Sequence, residues 1–528
     1  MGVNIPGLIG IIVFYLLILI IGFVAARKKS SKSASSNSDD LLLAGRNLGM
    51  FVASFSSAAT MVGGAYVNGT AESMGRDGLV WSLAPILYNV GVAIAALIYA
   101  PKVRRARYTT IFDPMQEKYG NNMGGFLFFS ELLSDLFWEA AILSALGTTL
   151  SIIMDLDTSI SIIVSACVAV FYTFFGGLYS VAYTDVIQLL CIAVGLVLSI
   201  PFAIKHPSVN LERIQGNWIG ELPTRQIGPY VDFLLQTTFG GIPWQAFYQR
   251  ILACKSPNLA RNSTLVGVAI SIIMAFPPAV IGIIGAATDW NATSYPGEVP
   301  LSREDWVDIL PMVLQYLCPV AISVIGIGAI SAAASDREIV WVLRISIAVT
   351  GTLGAIIAIT VRSVYGLFVL CGDLMYVIQF PMLTCALWVK FANTYGSIAG
   401  CIVGLFINLT GGFPTLKIPP LIKYPFYDPE IGQIFPFKTL ATICCFLTII
   451  IVSYVTHVLF TKEILPKKFD IFQCYVEKYH MTSDLVPGKI DEKNGEISVI
   501  NDKKQNGSYK MSSNALTLNG NSNLHVEF

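Results

Sequence analysis

Thr237-Thr238-Phe239-Gly240-Gly241-Ile242-Pro243-Trp244-Gln245 lies inside an apolar run, where an ordinary membrane helix has no use for Gly-Gly-x-Pro. Proline removes a backbone donor and clashes with the preceding turn, and glycine is a poor helix former, so the hydrogen-bond ladder is expected to break here. A second break is expected in Ser54-Phe55-Ser56-Ser57-Ala58-Ala59-Thr60-Met61-Val62-Gly63-Gly64. At membrane depth, freed backbone groups are tolerated only when buried in protein or lining a cavity. The two breaks open two sets of five apolar runs. An odd-numbered unit repeated in tandem enters the membrane upside down the second time, and paired broken helices mark a central binding site. The expected fold is an all-α polytopic membrane protein with a 5+5 inverted-repeat core.

Composition leads the same way. The chain has 528 residues, 54% hydrophobic and 13% charged, against about 25% charged for soluble domains. So little charge cannot cover a soluble globule of this size. With 34 basic and 34 acidic residues, no net field steers it toward a polyanion, and nucleic-acid binding is excluded as a reading. Most of the 10 cysteines fall in apolar runs and the 4 histidines are scattered, so neither a disulfide framework nor a transition-metal site is expected. No nucleophile–base pair and no nucleotide-hydrolysing motif is visible, which argues against an enzyme.

Hydropathy gives thirteen candidate spans, near residues 7–26, 48–67, 78–100, 124–153, 160–175, 185–204, 233–253, 265–287, 309–334, 339–361, 364–389, 396–410 and 439–460. They divide the chain into a first span and loop (1–47), a first repeat (48–204), an extracellular loop (205–232), a second repeat (233–389), two additional spans (390–460) and a disordered tail (461–528). Basic residues follow spans one, three, seven and thirteen, including Arg27, Lys102, Arg250 and Lys462. The positive-inside rule then puts the N-terminus outside and the tail in the cytosol. The sequon Asn291-Ala292-Thr293 falls in an outer loop, so Asn291 is the expected glycosylation site. Sequons at Asn68, Asn262 and Asn408 fall in the membrane or the cytosol and are discounted.

Two long motifs carry a resemblance. Gly176-Gly177-Leu178-Tyr179-Ser180-Val181-Ala182-Tyr183-Thr184-Asp185-Val186-Ile187-Gln188 resembles the first signature of the sodium:solute symporter family. Gly240-Gly241-Ile242-Pro243-Trp244-Gln245-Ala246-Phe247-Tyr248-Gln249-Arg250 resembles the second. The similarity is strongest to the choline-carrying branch and runs from the first span to about residue 475. It implies sodium- and chloride-dependent uptake of choline or a similar quaternary ammonium by alternating access. It also implies a plasma-membrane and synaptic-vesicle location at presynaptic terminals, in support of acetylcholine synthesis. The reading leaves room for a homo-oligomer and for trafficking proteins on the tail.

The resemblance places Tyr88, Trp138 and Trp244 in an aromatic pocket. This suits the chemistry, since a quaternary ammonium has no N–H to donate and is held by ring faces. Membrane-interface belts compete as an explanation for Trp81 and Trp290 more than for the mid-span Trp138 and Trp244. Met61 stands where the choline branch has a pocket Trp. Glu131, Asp135 and Glu139, four apart on one span, form an acidic stripe. Such a stripe either attracts a cation, with Asp135 and Glu139 reaching substrate, or faces a water-filled vestibule. For sodium, the resemblance implies Ala53 and Ser56 on the first broken helix and Ala333 on span nine. The family's serines are expected within a turn of Ala333, but a helix-length Ser-rich piece is absent after Ala334. If 309–318 is a surface helix, the sixteen residues left in that span reach about 24 Å, short of a hydrocarbon core of about 30 Å. Weakened sodium coupling is the expected consequence.

Overall fold

The computed structural model describes residues 5–13, 16, 20, 43, 46–154, 156–173, 178–332, 341–429 and 431–475. Among them the chain is helical, with isolated bridges and no sheet. The first expected break is present. Helices α1 (Met50–Met61) and α2 (Gly64–Asp77) meet at 48°. Val62 (φ −97°, ψ 66°) and the extended Gly63 between them leave the helical region.

Helix α3 (Ala84–Ile94) passes through a π turn at Ala95–Tyr99 into α4 (Ala100–Arg105). Pro101 stands just after this turn, where it cannot donate to the ladder, and the wider turn absorbs the defect. The short α5 (Asp113–Tyr119) leads into α6 (Asn121–Met154), then α7 (Thr158–Thr173) and α8 (Leu178–Ile204). The second break separates α9 (Ile227–Gly240) from α10 (Gln245–Leu252). Then follow α11 (Pro257–Ala287), α12 (Ile309–Leu317), α13 (Val320–Ala332) and α14 (Trp341–Thr360). Helix α15 (Val364–Leu374) repeats the proline logic: a π turn at Met375–Gln379 precedes Pro381 in α16 (Phe380–Trp388). Helices α17 (Thr394–Thr410) and α18 (Phe437–Thr461) close the described chain.

Among the described residues, six helical stretches are long and apolar enough to cross a membrane, and the bent α1–α2 pair makes a seventh. The expected thirteen is therefore not confirmed among the described residues. The expected span 309–334 is divided between α12 and α13, the latter described as far as Ala332. Two boundaries also move. Helix α9 begins at Ile227, inside the expected loop 205–232. Residues 461–475, expected to be disordered tail, are packed against α17. Asn393 Nδ2 donates to Tyr475 Oη at 2.7 Å, and Tyr395 Oη to Asp470 Oδ1 at 3.0 Å. Aromatic residues in this short stretch, among them Phe472 and Tyr475, give it something to bury against Tyr395 and Phe460. Residues 476–528 lie outside the described chain.

Helix α11 runs along both halves of the first broken helix. Tyr66 Oη donates to Ser271 O at 2.8 Å. At Gly282 a Cβ would come within 2.5 Å of Ala71 O, so this approach requires glycine. On the outside of the bundle, Ile402, Phe406 and Leu409 of α17 and Ile443, Leu447 and Ile451 of α18 are exposed at helical spacing. A lipid-facing surface needs this pattern and a soluble one does not.

Outside the spans, Asp308 ends the short turn before α12. Burial, reinforced by Asp305 and opposed by Arg362, pushes its carboxyl up to about 7. The folded state therefore holds this proton at pH values where the unfolded chain, at about 4, has lost it. Stability is fully present below about pH 4, falls as pH rises to about 7, and stays low above that. Asp308→Asn should thus gain melting temperature over the native chain between pH 5 and 8, with a difference of about 4 kcal/mol at the alkaline end. Parallel melting-versus-pH curves for the two proteins would refute this.

Candidate substrate and ion site

The second break builds the site. Ile242 N–H donates to Phe239 O at 3.2 Å, closing α9, and the extended Trp244 (φ −65°, ψ 120°) starts α10. Two carboxylates one turn apart on α6 hold this corner. Glu131 Oε1 accepts from Gln245 N–H at 2.9 Å, and Asp135 Oδ1 accepts from Trp244 Nε1–H at 3.2 Å. A carboxylate on the first amide of a helix meets an orphan donor and the positive end of the helix dipole.

The tethered indole walls a small aromatic cavity of about 30 Å³. Tyr88 (α3), Trp138 (α6), Trp244 and Phe368 (α15) form its ring walls, with Thr237 and Gly241 beside them. Ring centroids lie 6.0 Å apart for Tyr88–Trp244, 5.5 Å for Trp138–Trp244, 5.5 Å for Trp138–Phe368 and 6.2 Å for Tyr88–Phe368. All four pairs pack edge to face, the arrangement the ring quadrupoles favour. A Cβ at Gly241 would stand 2.7 Å from Tyr88 Cε2, so glycine lets the phenol lie on the broken backbone.

Three expected residues, Tyr88, Trp138 and Trp244, are thus brought together. The others stand differently. Asp135 is one layer back, on the far edge of the Trp244 indole. Met61 is buried behind the break, its sulfur accepting from Ser271 Oγ at 3.4 Å, and is not among the cavity-lining residues. Glu139 packs beside Gly354 of α14, also away from the cavity. The acidic stripe therefore divides: 100° per residue carries eight positions about 80° around the helix. Phe368 and Thr237 had no distinguishing signal in the sequence. Phe368 is one of 30 phenylalanines.

On the ion side, Ala53 and Ser56 are fully buried in α1. Ser56 Oγ donates a short hydrogen bond to Asp185 Oδ2 on α8, and Arg250 Nη2 lies 4.0 Å from the same oxygen. Asp185 belongs to the first quoted motif and Arg250 ends the second, so the fold joins the two. Ala333 and the residues after it to 340 lie outside the described chain, as does the expected gap beyond Ala334. Among the described residues no group of three or more His, Cys, Asp or Glu could hold a transition metal, and sodium takes hard oxygen donors instead.

A membrane-embedded helical bundle with two broken helices, one walling an aromatic cavity at its centre, defines a secondary transporter rather than an enzyme. The sodium:solute symporter family matches residues 41–295, and the chain belongs to that family. It is 45% identical over 505 residues to the high-affinity choline transporter 1 of Drosophila melanogaster, covering 90% of this chain and 82% of that protein. It is 44% identical over 521 residues to the high affinity choline transporter 1 of Homo sapiens, covering 91% of this chain and 90% of that protein. The sodium-coupled monocarboxylate transporter 1 of Mus musculus is more distant, 22% identical over 72% of this chain and 69% of that protein. Among solved structures, a Na+-coupled sialic acid symporter in a substrate-bound outward-open state superposes with a TM-score of 0.66 at 16% identity. The match covers 85% of this chain and 97% of that chain, and establishes the shared fold.

Proposed function

We propose that this protein takes up choline across the plasma membrane in symport with sodium, by alternating access around the aromatic cavity. The observation that carries the reading is the box of Tyr88, Trp138, Trp244 and Phe368, in which no carboxylate lines the wall among the described residues. A permanent cation without N–H donors is matched by ring faces. The names of the 41–45% identical relatives support the same substrate. Sodium favours one access state only through its differential affinity for that state, and Ala53, Ser56 and Ala333 are its proposed ligands. Chloride dependence, the presynaptic location and the role in acetylcholine synthesis belong to the same proposal.

Labelled choline uptake in cells, with sodium or chloride replaced in turn, tests it. Saturable uptake inhibited by excess choline is expected; its absence sinks the substrate reading. A second reading is favoured by the sequence, which lacks the family's serines a turn after Ala333: choline binds but sodium couples weakly. Uptake that falls less than about threefold without sodium supports this reading, and a loss of tenfold or more refutes it.

Sidedness has its own test. Asn291 is exposed in the loop after α11, while Asn68 and Asn408 are fully buried. Asn291→Gln should collapse the protein to its deglycosidase-treated mobility. A remaining glycan shift would contradict the proposed topology.

A further inference from the structure

The cavity wall carries two hydroxyls that the fold does not use. Tyr88 Oη and Thr237 Oγ1 are buried and have no hydrogen-bond partner among the described residues. For Thr237 this is a departure from its surroundings. A helical threonine normally donates to the carbonyl four residues back. The adjacent Thr238 does so to Leu234 O at 2.7 Å, as do Thr60 to Ser56 O at 2.8 Å and Thr149 to Ala145 O at 2.8 Å. Thr237 forgoes that bond in the last turn of α9, directly before the break. The neighbouring polar groups are committed: Trp244 Nε1–H to Asp135, and Cys371 Sγ–H to Phe368 O at 3.0 Å. Burying a hydroxyl without a partner is costly, and such atoms in a wall call for a partner that enters the cavity.

We infer that Thr237 and Tyr88 form a hydroxyl-recognition subsite, which reads the alcohol of the substrate while the ring faces hold its quaternary nitrogen. The inference rests on the proposed choline reading and adds what makes the site selective. Aromatic faces alone accept any quaternary ammonium of suitable size. An alcohol both donates and accepts, as do threonine and tyrosine hydroxyls, so one substrate O–H can engage both side chains. A site built to bond a substrate hydroxyl disfavours the analogue lacking it more strongly than an apolar pocket discriminates by size.

The test is displacement of labelled choline from membranes holding the full-length chain, by unlabelled choline and by ethyltrimethylammonium, its analogue without the hydroxyl. The native protein should prefer choline by about tenfold or more. Thr237→Val, Tyr88→Phe and the double variant should lower that ratio toward one by weakening choline while leaving the analogue unchanged. Without ligand the variants should melt at or above the native temperature, because an unpartnered buried hydroxyl contributes no stability. A ratio unchanged in all three variants, an equal loss for both compounds, or a marked fall in melting temperature overturns the subsite. Binding of neither compound by the native protein overturns the choline reading and the subsite with it, an outcome distinct from binding of both at an unchanged ratio.

Discussion

Trp244→Ala should raise the half-saturating choline concentration by about 30-fold. A desolvated cation–π contact with Trp is worth about 2 kcal/mol, and each 1.4 kcal/mol is about a factor of ten. Trp244 is the shared wall of the cavity, with Tyr88 at 6.0 Å and Trp138 at 5.5 Å, so its removal opens the box as well as removing one face. It also strips Asp135 of the indole N–H at 3.2 Å. Trp244→Phe separates these contributions, keeping a face while losing the N–H, and should cost less than Ala. Trp218, with 43% of its surface exposed between α8 and α9, serves as control, and its alanine variant should stay within about twofold. The concentration dependence of labelled choline uptake reads all three. An unchanged half-saturation in Trp244→Ala would remove Trp244 from the pocket.

Lys438→Met should be strongly destabilising, by about 3 kcal/mol or more, through the charge it leaves behind. Lys438 Nζ lies 2.8 Å from Asp373 Oδ1, and the carboxylate is 1% exposed. Its other oxygen accepts from Asn408 Nδ2 at 2.9 Å. Lys438 also donates to Gln236 Oε1 at 3.0 Å, while Asp232 accepts from the backbone amides of Lys438 and Thr439 at 3.1 and 2.8 Å. Together these bonds tie the start of α18 to α9, α15 and α17. Removing one partner of a buried pair leaves an uncompensated charge, typically at a cost of about 3–5 kcal/mol. The double variant Asp373→Asn, Lys438→Met removes that charge and should recover most of the loss. The exposed pair Arg225–Asp428, 3.3 Å apart with Arg225 73% exposed, should be nearly silent in Arg225→Met. Melting of the detergent-solubilised protein measures each. A double variant no more stable than Lys438→Met would show that the effect lies in lost packing.

Much of this was legible along the chain. Gly-Gly-x-Pro and Val-Gly-Gly announced both breaks because proline and glycine act on the backbone within one turn. The same local rule puts the π turns ahead of Pro101 and Pro381, although hydropathy did not single them out. Tyr88, Trp138 and Trp244 were reachable because the family resemblance marked them and their aromatic chemistry suits a quaternary ammonium. Phe368 and Thr237 were not, since nothing local separates a pocket phenylalanine or threonine from a packing one. Glu131 was visible as a mid-membrane acid but not as a cap, because its partner, the amide of Gln245, lies 114 residues away.

By itself the sequence determined a membrane-embedded helical bundle, the two broken helices and the aromatic residue types available to a permanent cation. Composition, hydropathy and backbone chemistry act over one turn or one span, and need no partner to be read. The tertiary structure alone decided that Phe368 completes the box, that Met61 and Glu139 stand away from it, and that Asp135 and Glu131 hold the corner carrying Trp244. It also decided that two hydroxyls in the wall are left without partners. These are long-range pairings, and which face of a helix meets which neighbour emerges only when distant segments pack.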